Sequence, residues 1–180
     1  MKKENLAQYV LRLTLTLFLI AGVVAAALAG VNAITKDAIA ANQEEKTLQA
    51  LQNVLPGVAG LEKIPLTGDA GIVSEVYASG SNYAVIVTPG GFGGELTMMV
   101  GIVDGTVSGI SVISHSETPG LGAVAAASSA KGEAFRGQFV GQSGELVVGN
   151  QVDAMSGATI TSTAVVTGVN AALRYVENLG

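Results

Sequence analysis

The chain has 180 residues, 49% hydrophobic and 4% aromatic, with no cysteine, no tryptophan and a single histidine, His115. The missing thiols exclude iron–sulfur ligation, disulfides and thiol catalysis, and one histidine excludes a two-histidine haem or a multi-histidine metal site, so any redox chemistry has to come from an organic cofactor. A formal net charge of −5 with so few rings also argues against nucleic acid, which calls for clustered Lys and Arg and for stacking platforms.

Met1 to Arg12 is polar and basic, and Leu13 to Val31 then runs without a charge for about twenty residues, the length a helix needs to cross a hydrocarbon core of about 30 Å. This predicts a transmembrane helix in a lipid bilayer. A cleavable signal peptide, with Ala27-Leu28-Ala29 as an A-x-A-like site, is disfavoured because the apolar run exceeds the usual core of roughly 7 to 15 residues. Lys2, Lys3 and Arg12 precede the span, whereas Lys36 after it is mixed with Asp37, Glu44 and Glu45. The positive-inside rule therefore predicts a cytoplasmic N-terminus, a single pass through the cell membrane and an extracytoplasmic remainder.

Thr35 to Leu55 has a partial apolar face of Ile39, Leu48, Leu51, Val54 and Leu55 and stops at Pro56-Gly57, which predicts a helix that continues the span outward. Its polar middle, Asn42 to Lys46, reads as a solvated stalk, and Pro56 to Gly71 as a linker. The expected organisation is residues 1–34 for the N-terminus and membrane helix, 35–71 for stalk and linker, and 72–180 for a folded domain.

Within that domain, strands are predicted over Ile72–Ala78, Tyr83–Thr88, Glu95–Val103 and Val107–Ser114. The turns Ser79-Gly80-Ser81-Asn82, Pro89-Gly90-Gly91 and Asp104-Gly105 separate them, which makes an antiparallel meander. Gly90 to Gly94 lacks the Lys-Ser/Thr and the following helix of a phosphate loop, and reads as a hairpin connection. Ala123–Lys131 and Glu133–Phe139 are predicted as short helices and Glu145–Val152 as a further strand. Val165, Val169, Ala172, Leu173 and Val176 recur at helical spacing in a last helix from Thr159 to about Asn178, and the grouping of elements indicates an α+β fold.

Two stretches stand out from this apolar pattern. D-A-M-S-G-A-T, Asp153 to Thr159, is a small-residue turn opening the last helix, where free N–H groups and the positive end of the helix dipole favour a phosphate. Ser156 and Thr159 add hydroxyls there, with helix capping as their ordinary use and, for Thr159, attachment of a group as the other. H-S-E-T-P-G-L-G, His115 to Gly122, is a non-repetitive loop at the end of a strand, suited either to ligand contacts or to a plain Pro119-Gly120 turn.

Taken together these stretches resemble the FMN-binding domain family, whose members are membrane-anchored redox subunits: the G subunit of the Rnf electron-transport complex and the C subunit of the related sodium-pumping NADH:quinone oxidoreductase. Asp153, Ser156, Gly157, Ala158 and Thr159 match the family's flavinylation pattern D-x-x-[ST]-G-A-[ST]. His115 to Gly122 is similar to its E-T-P-G-L-G loop, and V-L-P-G at Val54 to Gly57 follows the first helix as in the family. The short length favours the Rnf side of the resemblance.

The resemblance implies FMN joined to Thr159 through a phosphoester, installed by a separate Mg-dependent flavin transferase that uses FAD. It implies Ser156, Gly157 and Ala158 around the phosphate, Glu117, Thr118, Leu121 and Gly122 along the isoalloxazine, Lys131 beside the phosphate or the ring, and Asp153 in recognition by the transferase or in orienting the turn. No metal ligand and no catalytic residue are expected. The function implied is an electron relay within a complex coupling ferredoxin and NAD chemistry to ion transport, with other membrane subunits as partners and no turnover by the chain alone. The alternatives are a non-redox membrane-anchored binding or assembly module and a standalone extracytoplasmic FMN carrier.

Overall fold

The structure, a computed structural model, describes residues 6–179. The chain forms two compact units, Met1–Glu45 and Lys46–Gly180. Lys2 and Lys3, on which the expected cytoplasmic N-terminus rests in part, lie outside the described residues.

The described residues of the first unit are all helical. Helix α1 spans Leu6–Val54 without a break, so the predicted membrane helix and its outward continuation are a single element. Its apolar stretch has a mean hydropathy of 2.3 with none of it buried, which makes it long and apolar enough to cross a membrane. Thr14, Thr16 and Thr35 donate their hydroxyls to the carbonyls of Val10, Arg12 and Val31 at 2.9, 2.8 and 2.9 Å. Bonding four residues back satisfies these groups within the helix itself, as an apolar surrounding requires.

The second unit is built on a five-stranded antiparallel sheet in the order β1-β2-β3-β4-β5, with β1 Glu62–Ile64, β2 Val73–Ser79, β3 Asn82–Val87, β4 Thr97–Val103 and β5 Thr106–Ser114. The meander and the α+β class follow the sequence expectation. Asp104 and Gly105, both left-handed at φ 48° and 77°, make the tight β4–β5 turn that an Asp-Gly pair favours. Strand β1 lies within the predicted linker. It pairs Glu62, Lys63 and Ile64 with Ala78, Tyr77 and Val76 of β2, and a Lys63–Glu75 ion pair of 2.8 Å reinforces the edge.

Both faces of the sheet are covered, which is why β4 reads as a continuous apolar run instead of an alternating one. One face, with Val76, Val85, Val87, Met98, Val100 and Ile102, packs against Phe135, Phe139, Val165, Val169 and Val176 from the helices α2, Ala130–Gly137, and α3, Thr159–Glu177, and from the residues after α2. The other face, with Ala84, Ile86, Met99 and Ile113, is covered by Ala50 and Val54 from the end of α1 and by Leu55 just after it. The approach is close at Gly101, paired with Gly109 across β4 and β5, where a Cβ would collide with the Val54 carbonyl and side chain. Ser108 Oγ donates to that Val54 carbonyl at 2.6 Å, satisfying an acceptor the helix end leaves free.

Two predicted elements differ. Residues 145–152 form no strand beyond an isolated Val148–Val152 bridge, because left-handed glycines at 144 and 149 turn the chain and Asn170 holds Leu146 instead. Asn170 Oδ1 accepts from the Leu146 N–H at 2.9 Å and its Nδ2 donates to the Leu146 carbonyl at 2.8 Å. Ala123–Lys131 is not one helix: Gly122–Ala125 makes a short 3-10 helix, and α2 begins at Ala130, ahead of the expected Glu133, because Ser129 caps it, its Oγ accepting from the Gly132 N–H at 3.3 Å.

Candidate functional site

The N-terminus of α3 is held open by a buried serine. Ser162 Oγ accepts from the Met155 N–H at 2.9 Å and donates to the Ala158 carbonyl at 2.9 Å, fixing the turn that precedes the helix. Gly157 sits at φ 72°, and a Cβ there would press within 3.2 Å of Leu121 Cδ2, so glycine answers both the backbone and the neighbouring loop. Ala158 occupies the cap position and no side chain caps the helix. The first intrahelical bond is Ser162 N–H to the Ala158 carbonyl, which leaves the N–H groups of Thr159, Ile160 and Thr161 without partners among the described residues. The hydroxyls of Ser156 and Thr159 therefore are not caps, and the Thr159 hydroxyl makes no hydrogen bond among the described residues.

Beside this helix end lies the loop from His115 to Gly122, organised by Glu117, which is only 6% exposed. Thr161 Oγ1 donates to Glu117 Oε2 at 2.6 Å and the Gly93 N–H donates to Oε1 at 3.1 Å, while the Glu117 N–H donates to His115 Nδ1 at 3.2 Å. A buried carboxylate is tolerated when its oxygens are bonded in this way. It joins three segments: the turn between β3 and β4, the loop after β5, and the first turn of α3. Glycines at 91 and 122 leave it room, since a Cβ on either would strike the carboxylate. The loop closes on itself through Leu121 N–H and Ala123 N–H, both donating to the Thr118 carbonyl at 3.2 Å, around a left-handed Gly120 at φ 77°.

Between these parts is a cavity of about 350 Å³ lined by Phe92, Glu117, Thr118, Leu121 and Gly122 on one side of the sequence and by Gly157 to Thr161 on the other. The volume lies in the range of about 300 to 1,000 Å³ usual for small-molecule sites. Of the predicted residues, Thr159, Gly157, Ala158, Glu117, Thr118, Leu121 and Gly122 come together here. Ser156 and Asp153 stand outside the lining, exposed on the preceding turn, where Gln138 Oε1 accepts from the Asp153 N–H at 2.7 Å. Lys131 is exposed in the first turn of α2 and does not line this cavity. Phe92, Ile160 and Thr161 were not singled out in the sequence. For Phe92 the available signal was a lone ring among four glycines, and for Thr161 a hydroxyl two residues beyond Thr159 in the helix's first turn. A larger cavity of about 640 Å³ lies at the other end of α3, near Tyr83, Asp104, Glu145 and Arg174, and none of the predicted residues lines it.

Residues 91–174 match the FMN-binding domain family, and residues 1–54 match the RnfG N-terminal region. The chain is 36% identical, over 94% of its length and 93% of the relative's, to the G subunit of the Na(+)-translocating ferredoxin:NAD(+) oxidoreductase complex of Acetobacterium woodii. The chain belongs to the family of Rnf-complex G subunits. Another member, the G subunit of the ion-translocating oxidoreductase complex of Methanosarcina acetivorans, is 34% identical over 92% of this chain and 94% of that one. The corresponding protein of a proton-translocating ferredoxin:NAD(+) oxidoreductase complex from Clostridium ljungdahlii is 38% identical over 52% of each chain, so the relatives differ in the ion their names carry.

The geometry fits the cofactor of the FMN-binding domain. Unpartnered N–H groups at the α3 terminus suit a phosphate, the Thr159 hydroxyl stands beside them, and the apolar side chains of Phe92, Leu121 and Ile160 suit a flat ring system. The lining contributes a single ionisable side chain, Glu117, already engaged by Thr161 and Gly93.

Proposed function

We propose that this chain is a membrane-anchored flavoprotein subunit that relays electrons through FMN joined to Thr159 by a phosphoester, within an ion-translocating ferredoxin:NAD+ oxidoreductase complex. The observation that carries the reading is the coincidence, inside the stretch matching the FMN-binding domain, of an uncapped helix end, the unbonded Thr159 hydroxyl and an adjoining apolar cavity. Bound flavin supplies the redox chemistry, and the protein supplies position and electrostatics. The N–H groups of Thr159, Ile160 and Thr161 hold the phosphate charge, Thr118 and Leu121 hold and exclude water from the ring, and Glu117 keeps the three segments assembled.

An unactivated threonine hydroxyl is a poor nucleophile, so attachment needs a separate Mg-dependent flavin transferase. Thr159 Oγ1 forms the new bond to the FMN phosphorus of FAD, the phosphoanhydride bond breaks, AMP leaves, and the hydroxyl proton passes to the transferase. Asp153, exposed beside the turn, serves recognition by that enzyme. Helix α1 spans the bilayer with the basic N-terminus in the cytoplasm, which places the flavin domain outside, and the remaining membrane subunits of the complex are its partners. The chain turns over no substrate by itself.

Expression with and without the transferase, followed by denaturing electrophoresis under ultraviolet light, tests the reading. A fluorescent band that needs the transferase and disappears in Thr159→Ala is expected; a colourless chain in both cases contradicts it.

A further inference from the structure

We propose that Phe92 is a flavin-contacting residue whose ring covers the isoalloxazine, held in place by the Glu117 clamp; this rests on the flavin reading above. Phe92 is 67% exposed, and it is the only exposed Phe or Tyr among the described residues of the second unit: Phe135, Phe139 and Tyr175 are buried, and Tyr77 and Tyr83 are half-buried. A phenyl ring left in water forgoes the burial that drives the other rings inward, and Phe92 shares its cavity with two further exposed apolar side chains, Leu121 and Ile160, the kind of clustered apolar exposure that marks a binding surface.

Its exposure does not come from a loose loop tip. The Gly91 N–H donates to the Gly94 carbonyl at 2.7 Å, Gly90 and Glu95 pair as an isolated bridge, and the Gly93 N–H reaches Glu117 Oε1 at 3.1 Å. Cβ atoms at positions 91 and 93 would run into Glu117 and into the Ser116 carbonyl, so the turn is seated directly on the loop that follows β5. Glu117 is in turn held by Thr161 of α3. The segment carrying Phe92 is thus bonded to the helix that carries Thr159, and both residues line one cavity. Flat rings pair with flat rings by offset or edge contacts, and an isoalloxazine tethered at Thr159 offers such a partner. Glu117 acts here as a positioning residue for Phe92.

The test uses the full-length chain, made with the flavin transferase and purified in detergent. Because the chain has no tryptophan, Phe92→Trp introduces the only indole, an electron donor that quenches isoalloxazine emission on contact. Flavin emission in F92W is expected to fall several-fold, while Val140→Trp, at an exposed apolar position elsewhere, leaves it unchanged. In F92A, quenching of the flavin by iodide is expected to rise several-fold, with the melting temperature of the flavin-free chain unchanged. Free FMN titrated onto flavin-free chain gives a second reading, with binding weakened several-fold in F92A and retained in F92W. Flavin emission in F92W and iodide quenching in F92A both equal to those of the wild type, in chains whose mass shows flavin at Thr159, overturn the proposal alone. A wild-type chain without flavin overturns the reading beneath it as well.

Discussion

The two ends of α3 make an instructive contrast. At its C-terminal end the Asn178 N–H bonds the Arg174 carbonyl and the Leu179 N–H bonds the Val176 carbonyl, closing the helix in the ordinary way, beside the larger cavity. At its N-terminal end the backbone donors are left open, a hydroxyl stands unbonded, and a cavity about half the size is walled by apolar side chains. What distinguishes the end proposed as the flavin site is therefore unspent hydrogen-bonding capacity beside an apolar space suited to a ring, whereas cavity volume by itself points to the opposite end.

The strongest way to break that contrast is Glu117→Ala. It leaves the buried Thr161 hydroxyl without an acceptor and frees the exposed Gly93 N–H, and unfolding in denaturant should show a loss of about 2 to 3 kcal/mol, chiefly the penalty for the orphaned buried hydroxyl. Flavin content should fall with it, because the segments forming the cavity come apart. Gly101→Ala separates stability from the site: its Cβ meets Val54 on the face covered by α1, and a loss of about 2 kcal/mol is expected from overpacking with flavin attachment retained. Asn170→Ala does the same at the far end of α3, orphaning the Leu146 N–H and carbonyl at a cost of about 1 to 2 kcal/mol, again with flavin retained. Loss of flavin in either variant at unchanged expression would erase the distinction between the two ends.

The smallest effect belongs to neither end. Hydrogen bonding to Lys63 lowers the Glu75 pKa below its usual 4.5, with a hydrogen bond from Tyr77 acting the same way against burial, which raises it. A depressed folded-state pKa contributes stability at pH above the unfolded value, and that contribution disappears as pH falls through the folded value. For a pair this exposed the amount is under about 1 kcal/mol. Melting temperatures of the wild type and Lys63→Met should therefore differ slightly at neutral pH and converge as the pH drops well below 4.5.

Much of the fold was legible because local chemistry and tertiary structure agree. Asp104-Gly105 and Ser79-Gly80-Ser81-Asn82 specify their turns, and the apolar spacing of Val165, Val169 and Val176 specifies the buried face of α3. Strand β1 was not legible, since three residues held by pairing to β2 and by the Lys63–Glu75 ion pair have no periodicity of their own. Residues 145–152 misled for the converse reason: their apolar content serves burial of Leu146 and Val152 in a looped path fixed by Asn170, a residue far along the chain. At the site, the Asp153–Thr159 turn announced itself through residue types. Phe92 and Thr161 did not, because a glycine-rich hairpin and a threonine in a helix acquire their roles only when Glu117 bonds both segments. Lys131, which the resemblance puts beside the phosphate or the ring, is carried on the first turn of α2 outside the cavity lining, and its sequence position gives no signal of which element brings it near.

The central claim is that the open end of α3 is an attachment site and that Thr159 supplies the oxygen of the phosphoester. Mass analysis of the proteolytic peptide spanning the Asp153–Thr159 turn, from chain produced with the flavin transferase, tests this most directly. The account predicts an increase equal to FMN less one water, located by fragmentation on Thr159. An unmodified peptide, or the same increase on Ser156, contradicts it.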